Sequence, residues 1–502
     1  MGHRHPRVTV DGNSLDIEKL VSVSRNFAKV TVSRAALDRV NSARKALEKR
    51  AEGGVPIYGV NTGFGELQSV KVATSQSGRL QENLVRSTSA GVGQPLSAEE
   101  TRALMVLRLN TLVKGHSGVR PEIVKLLAEM IDLGVHPVIP SRGSVGASGD
   151  LAPLAHMALV LMGEGAAEFK GRKLNGAEAL MEAGLKPISL REKEGLALIN
   201  GTQFMTALGA LALNDIRNFF MQSIVVFSMS LEALGGRLAP FDGRVSALRA
   251  HPGSGVVASE ILKMCRGSRR TNRGDRVQDP YTLRCAPQVI GPLHDLIGYC
   301  EKVIVTEMNS TTDNPVVFPE NGDIISAGNF HGQPIAVALD ALCIPLQAVA
   351  AFSERRTARL TDSKLSGLNA FLSMNPGVES GYMVAQYTAA ALVSEGKVLS
   401  HPSSSDSIPT SANQEDFVSM GAYSAIKLRQ MVDNSFIVLA IEALCASQAL
   451  DLTGGPSAPR IKKAHGIIRQ EIPRLDRDRE LSGEIEKCAS MLREGKLVEP
   501  LL

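Results

Sequence analysis

The sequence predicts a mainly α protein, a bundle of long helices behind a small mixed N-terminal region, and three observations carry that expectation. Apolar residues make up 44% of the 502 residues, aromatic residues only 4%, and tryptophan is missing altogether. Abundant Ala, Leu and Gly without bulky rings suit closely packed helices. Apolar positions recur at helical spacing over segments well beyond the ~12 residues of an average helix. Apolar–polar alternation, the mark of a half-buried strand, is confined to residues 8–17.

In chain order, residues 33–52 read as a charged amphipathic helix, and 53–65 as a mobile loop in which five glycines surround Tyr58, Asn61 and Phe64. Helical periodicity returns over 76–90, 98–114 and 121–133. Pro137 and Pro140 then introduce a turn around Ala147-Ser148-Gly149, followed by an apolar helix over 151–161 with Asp150 near its N-cap. Long apolar segments follow at 196–214, 215–234, 289–308, 333–359, 381–399 and 422–450. Antiparallel helices of this length imply a bundle around one central space. Residues 266–276, with five arginines, read as an exposed loop, and residues beyond 459 as charged helices at the rim. No repeat or linker divides the chain, so one domain over 1–502 is expected. Its parts are an N-terminal region (1–215), a central bundle (216–458) and a C-terminal rim (459–502).

Charge and cysteine usage exclude some classes. With 55 basic and 51 acidic residues the net charge is +4, without a like-charge block for a nucleic acid. Cysteines 265, 285, 300, 343, 445 and 488 form neither a Cys-x-x-Cys pair nor a metal-ligand cluster with histidine, as expected of free thiols in a reducing cytoplasm. The N-terminus lacks a signal-peptide pattern. Segment 196–214 approaches membrane-spanning length but carries Asn200-Gly-Thr-Gln203, so it reads as a buried core helix.

Ala147-Ser148-Gly149 can build an electrophile from backbone alone. If a tight turn presses the Gly149 nitrogen against the Ala147 carbonyl carbon, losing one water closes a five-membered ring, and losing the Ser148 hydroxyl as a second water leaves an exocyclic methylene. Ala adds no bulk at the attacked carbonyl, Ser supplies the leaving hydroxyl, and Gly permits the conformation. Alternatively, the small residues form an ordinary turn. A hydrolase nucleophile elbow at Ser148 fails, because Asp150 stands where Gly-x-Ser-x-Gly needs its second glycine.

Five polar clusters interrupt the apolar pattern, each costly to bury unless paired or used. Tyr58 is either a packing aromatic or a phenol on a lid, and as a base it would need positive charge or hydrogen bonds that favour the phenolate. Asn200 either bonds helix to helix or serves a site. Arg284 follows Tyr281 by three residues, which puts both on one helical face; it is either a carboxylate clamp or half of an internal ion pair. Residues 309–315 and 328–332 are turn-rich, with Phe330 a possible aromatic wall. Glu415, within 409–416 at the head of a long helix, either complements the helix dipole or binds an NH-bearing side chain.

Taken together, Gly59-Val-Asn-Thr-Gly-Phe-Gly65, the run around Ala147-Ser-Gly149, Leu198-Ile-Asn-Gly-Thr202, Tyr281-Thr-Leu-Arg284, Thr312-Asp-Asn-Pro315 and Asn413-Gln-Glu-Asp416 stand in one order. By these motifs the chain resembles the aromatic amino acid ammonia-lyases over nearly its whole length, and above all their histidine-cleaving members. The resemblance implies a cytoplasmic homotetramer assembled through its helices, with active sites shared between subunits and a methylidene-imidazolone (MIO) group formed from Ala147-Ser148-Gly149 without an external cofactor or metal. It implies that Tyr58 takes the β-proton, that Tyr281 and Asn200 orient the amine and the electrophile, and that Arg284 holds the carboxylate. Thr88, Gln278, Gln288, Phe330 and Glu415 would complete the pocket. The implied reaction is elimination of ammonia from L-histidine to urocanate; a phenylalanine or tyrosine lyase or aminomutase, and an inactive helical scaffold, are the alternatives. Glu415 favours histidine, because a carboxylate accepts an imidazole N–H. Thr88 and Phe417 depart from the histidine pattern, where histidine is usual.

Overall fold

The computed structural model describes residues 7–53, 56–273 and 277–498. The parts of the glycine-rich and arginine-rich loops at 54–55 and 274–276 lie outside the described residues. The chain is mainly α and gathers into two compact units. The first comprises Met1–Leu211, Glu301–Asp340 and Pro402–Ile426; the second comprises Ala212–Cys300, Ala341–His401 and Lys427–Leu502.

In the first unit, strand Arg7–Val10 pairs in parallel with Lys29–Val32. Helix Arg34–Glu52 starts at Ser33, whose hydroxyl accepts the Ala36 N–H. Helix Ala98–Leu112 opens on a Ser97/Glu100 capping box, and every residue from Thr101 to Leu112 is buried. A helix buried on all sides must partner its polar groups internally, and Arg102, Arg108 and Asn110 do so through backbone carbonyls. Helix Pro121–Leu133 begins with proline and ends on Gly134, whose φ of 77° is the left-handed stop that glycine tolerates.

The expected helices over 196–214 and 215–234 are divided differently. Helix Glu194–Ile199 stops at Asn200, and one helix then runs unbroken over Gln203–Ala233. The break falls at Gly201, where φ is 153° and a Cβ would stand 2.5 Å from the Arg108 guanidinium. Asp215 does not end the helix, because its carboxylate pairs sideways with Arg429 at 2.6 Å.

The second unit packs apolar helices around rings such as Phe219 and Phe436, edge to face at 5.4 Å. One of its buried charge pairs is Arg356 with Glu442, at 2.5 Å with neither side chain exposed, and Ser230 also donates to Glu442. All six cysteines are reduced thiols, and five of them are buried. Burial pushes the Cys265, Cys300 and Cys488 thiols up to about 12, so they stay protonated and inert. Beyond residue 458 the chain forms helices Pro459–Glu471 and Ser482–Arg493.

Helices Gln333–Thr361 and Gly421–Leu452 are long and apolar enough to cross a membrane by length and composition, yet 61% and 83% of their most apolar windows are buried in the fold. The exposed remainder is ordered. Val337, Ile344 and Ala348 lie along one stripe of the first helix, and Val384, Tyr387, Ala391 and Val398 along one stripe of helix Met383–Leu399.

Candidate active site

The turn that carries Ala147-Ser148-Gly149 is held from three sides of the first unit. Ser144 caps it locally, donating to Asp150 at 2.8 Å and accepting the Gly146 N–H at 3.1 Å. Residues 419–420 brace it: the Met420 N–H donates to the Val145 carbonyl and the Ser419 hydroxyl to that of Gly146. On the third side Gly149 lies against Gly201, and the Asp150 N–H donates to the Gly201 carbonyl at 2.6 Å. Gly149 has φ +76°, and a Cβ there would stand 2.2 Å from the Gly201 oxygen. Glycine is therefore required by both conformation and space.

Asp150 occupies the N-cap position of helix Leu151–Leu161 but makes no cap hydrogen bond. Its carboxyl instead takes the Ser144 hydroxyl and the Met205 N–H. Burial pushes it up to about 7 despite those hydrogen bonds.

The structure brings Ser148, Glu415 and Tyr58 together. The half-buried Ser148 hydroxyl donates to Glu415 Oε1 at 2.6 Å, and Thr410 donates to Oε2 at 2.6 Å, so both carboxylate oxygens are oriented. Glu415 is not in a helical first turn, as the sequence suggested. It follows a tight turn in which Ser411, Ala412 and Asn413 have φ of 52°, 52° and 69°, and the long helix begins only at Gly421. Three consecutive left-handed non-glycine residues store roughly 1–3 kcal/mol each, and such strain clusters at functional sites.

The Tyr58 loop meets this turn. Gly65 packs on the Ser411 hydroxyl, Gln68 donates to Gln414, and Phe64 sits edge-on to Tyr58 at 6.2 Å. The Tyr58 phenol accepts the Gly65 N–H at 3.1 Å. Burial raises its pKa above the ordinary value; the Gly65 N–H opposes this, and Glu415 raises it further. Among the described residues of one chain, the charged group that acts on the phenol is the Glu415 carboxylate.

Asn200 is buried in the break beside Gly201, and its Oδ1 has no hydrogen-bond partner among the described residues. Thr88 is the half-buried last residue of helix Ser77–Thr88, and Phe330 is half-buried in the turn before helix Gln333–Thr361. Phe417 is exposed and stacks on His331 at 6.1 Å. Tyr281, Arg284, Gln278 and Gln288 belong to the second unit. There Tyr281 and Arg284 do share a helical face: the guanidinium carbon lies 4.7 Å from the ring centre, and Nε donates to the Asp279 carbonyl. Tyr281 is 69% exposed, and Gln278 and Gln288 are also exposed.

Arg108 was not singled out from the sequence, although an arginine amid Leu104-Met-Val-Leu107 was the signal. It donates to the Asn200 carbonyl at 2.7 Å, to Gln203 Oε1 at 2.8 Å and to the Ala197 carbonyl at 2.5 Å, and so holds the break that abuts Gly149. Burial pushes its pKa down to about 10 while Asp313, itself paired with buried Lys193, pulls it back. Arg108→Met leaves three buried acceptors unpaired. At roughly 1–3 kcal/mol each, the expected result is a melting temperature several degrees lower and less dehydrated tripeptide, read by thermal melting and peptide mass.

Residues 15–470 match the aromatic amino acid lyase family. The chain belongs to that family. Among this lyase's relatives, a histidine ammonia-lyase of Caldanaerobacter subterraneus subsp. tengcongensis is 48% identical over 99% of this chain and 98% of its own length. Another, of Symbiobacterium thermophilum, is 48% identical over 97% of each. The lyase fold also superposes on a tyrosine aminomutase from Streptomyces globisporus (TM-score 0.94, 38% identity, 99% and 98% of the two chains). A histidine ammonia-lyase from Trypanosoma cruzi gives a TM-score of 0.92 at 40% identity over 99% and 96%.

Proposed function

We propose that this lyase eliminates ammonia from L-histidine without oxidation, giving trans-urocanate in histidine degradation. The observation that carries the choice of substrate is Glu415, whose oriented carboxylate lies 2.6 Å from the Ser148 hydroxyl. It offers an acceptor to an imidazole N–H, whereas a phenyl ring would leave the charge unpartnered. The histidine ammonia-lyases at 48% identity support the same reading.

The residues present fit a methylidene-imidazolone group. Ala147 is small and buried, Gly149 holds φ +76°, and the Gly201 carbonyl excludes any side chain there. Attack of the Gly149 nitrogen on the Ala147 carbonyl carbon releases one water, and the Ser148 hydroxyl leaves with the Ser148 α-proton as the second. Once formed, the group supplies an electrophile that makes ammonia a better leaving group.

The chain's own residues do the rest. Tyr58 takes the β-proton; Asn200 and Tyr281 orient the amine and the electrophile; Arg284 binds the carboxylate as a bidentate donor. Thr88, Gln278, Gln288 and Phe330 line the remaining pocket. Tyr281 and Arg284 reach the site from another copy in a homotetramer, where Arg284 also supplies the positive charge that Tyr58 needs. The exposed apolar stripes of helices Gln333–Thr361 and Met383–Leu399 support that assembly.

Incubation with L-histidine, L-phenylalanine and L-tyrosine tests the reading: urocanate is the expected product, and its absence rejects histidine. Glu415→Gln lowers kcat/KM for histidine by about 10–100-fold, the scale of a hydrogen bond to a charged group, and narrows the preference over phenylalanine. An unchanged preference would remove Glu415 from substrate choice.

A further inference from the structure

Outside that site, the second unit holds a cleft of about 400 Å³ lined by Glu232, Gly235, Arg270, Arg273, Ser366 and Thr453 among others. Glu232 stands in the last turn of helix Gln203–Ala233 and is 1% exposed. Its Oε1 accepts the Ala458 N–H at 2.7 Å, but Oε2 has no hydrogen-bond partner among the described residues. A carboxylate at the negative end of a helix, withdrawn from water and half satisfied, is unfavourable for stability.

The opposite charge lines the same cleft. Arg270 is fixed by three hydrogen bonds, from Nε to the Gly455 carbonyl and from Nη1 to the Leu450 carbonyl and the Thr453 hydroxyl, at 2.7–2.9 Å. Arg273 is exposed and donates from Nη1 to the Gly454 carbonyl at 3.3 Å. Among the described residues no ion pair joins Glu232 to either arginine, so the cleft is lined by a buried, half-satisfied carboxylate and two guanidinium groups that do not neutralise it.

We propose that this cleft binds a free amino acid in its zwitterionic form, with the ammonium on Glu232 Oε2 and the carboxylate on the Arg270–Arg273 face. The volume is within the range of small-molecule pockets. Both ligand charges meet prepared partners, which a simple cation or anion would satisfy only by half.

Calorimetric titration of the full-length protein with glycine tests this. Glycine binding is expected to persist in Arg284→Ala, which disables the amino acid clamp of the proposed active site. It should weaken about tenfold or more in Glu232→Gln and in Arg273→Ala. Ethylammonium and acetate, each with one of the two charges, should bind at least about tenfold more weakly than glycine. Glycine binding that is undetectable, that disappears in Arg284→Ala, or that is unchanged in both cleft variants overturns the proposal, as does ethylammonium binding as tightly as glycine. Arg273 is exposed, so its variant decides the matter if Glu232→Gln fails to fold.

Discussion

Gly149→Ala is expected to yield protein whose 147–149 peptide keeps its unmodified mass and whose lyase activity falls by about 10³-fold or more, the scale of losing a catalytic unit as a whole. Two effects act together. Alanine at φ +76° is strained, and its Cβ would stand 2.2 Å from the backbone oxygen of Gly201, which accepts the Asp150 N–H while Arg108 grips the neighbouring Asn200 carbonyl. A flexible side chain could yield to that contact; a braced backbone cannot without opening the turn. Peptide mass spectrometry reads the missing loss of two waters, and a product assay reads the rate. Wild-type dehydration in the variant would show that the Gly149–Gly201 contact does not govern cyclisation.

Tyr58→Phe is expected to lower kcat by about 10²–10⁴-fold, the range for removing a general base, with a smaller change in KM. Phenylalanine keeps the edge-on packing against Phe64 and loses only the hydroxyl and its hydrogen bond from Gly65. The pH dependence follows from the direction of the shift. Burial and Glu415 raise the phenol above its ordinary value, so its basic form is scarce at neutral pH and gains population only toward alkaline pH. Activity should therefore climb through neutral into alkaline pH in the wild type, and the rising limb should vanish in the variant. A steady-state profile that keeps its slope in Tyr58→Phe would assign the proton transfer to another group.

Much of this site was legible in the chain. Small residues at 147–149 and a tyrosine between glycines at 58 each state a local requirement of the first unit, because backbone freedom and a leaving hydroxyl depend on residue type, and the Tyr281–Arg284 spacing states the shared helical face found in the second unit. Other features were not legible. Glu415 read as an acid at the head of a helix, yet a left-handed turn at 411–413 displaces it onto Ser148. Nothing in the residue types Ser, Ala and Asn announces three positive φ values; contacts with the Tyr58 loop and with Ser148 accompany them. Asp150 read as a cap, and its carboxyl turned instead to Ser144 and Met205.

The same division holds for the molecule as a whole. By itself the sequence determined the mainly α class, the long helices and the small residues of the tripeptide, since helical periodicity and residue identity are local properties. Only the tertiary structure decided where the helix over 196–234 breaks, which arginine braces that break, and which carboxylate meets Ser148. Those outcomes join residues 92 and 267 positions apart in the chain. They depend on burying a guanidinium and a carboxylate only where partners already wait, a condition that no local stretch of sequence can express.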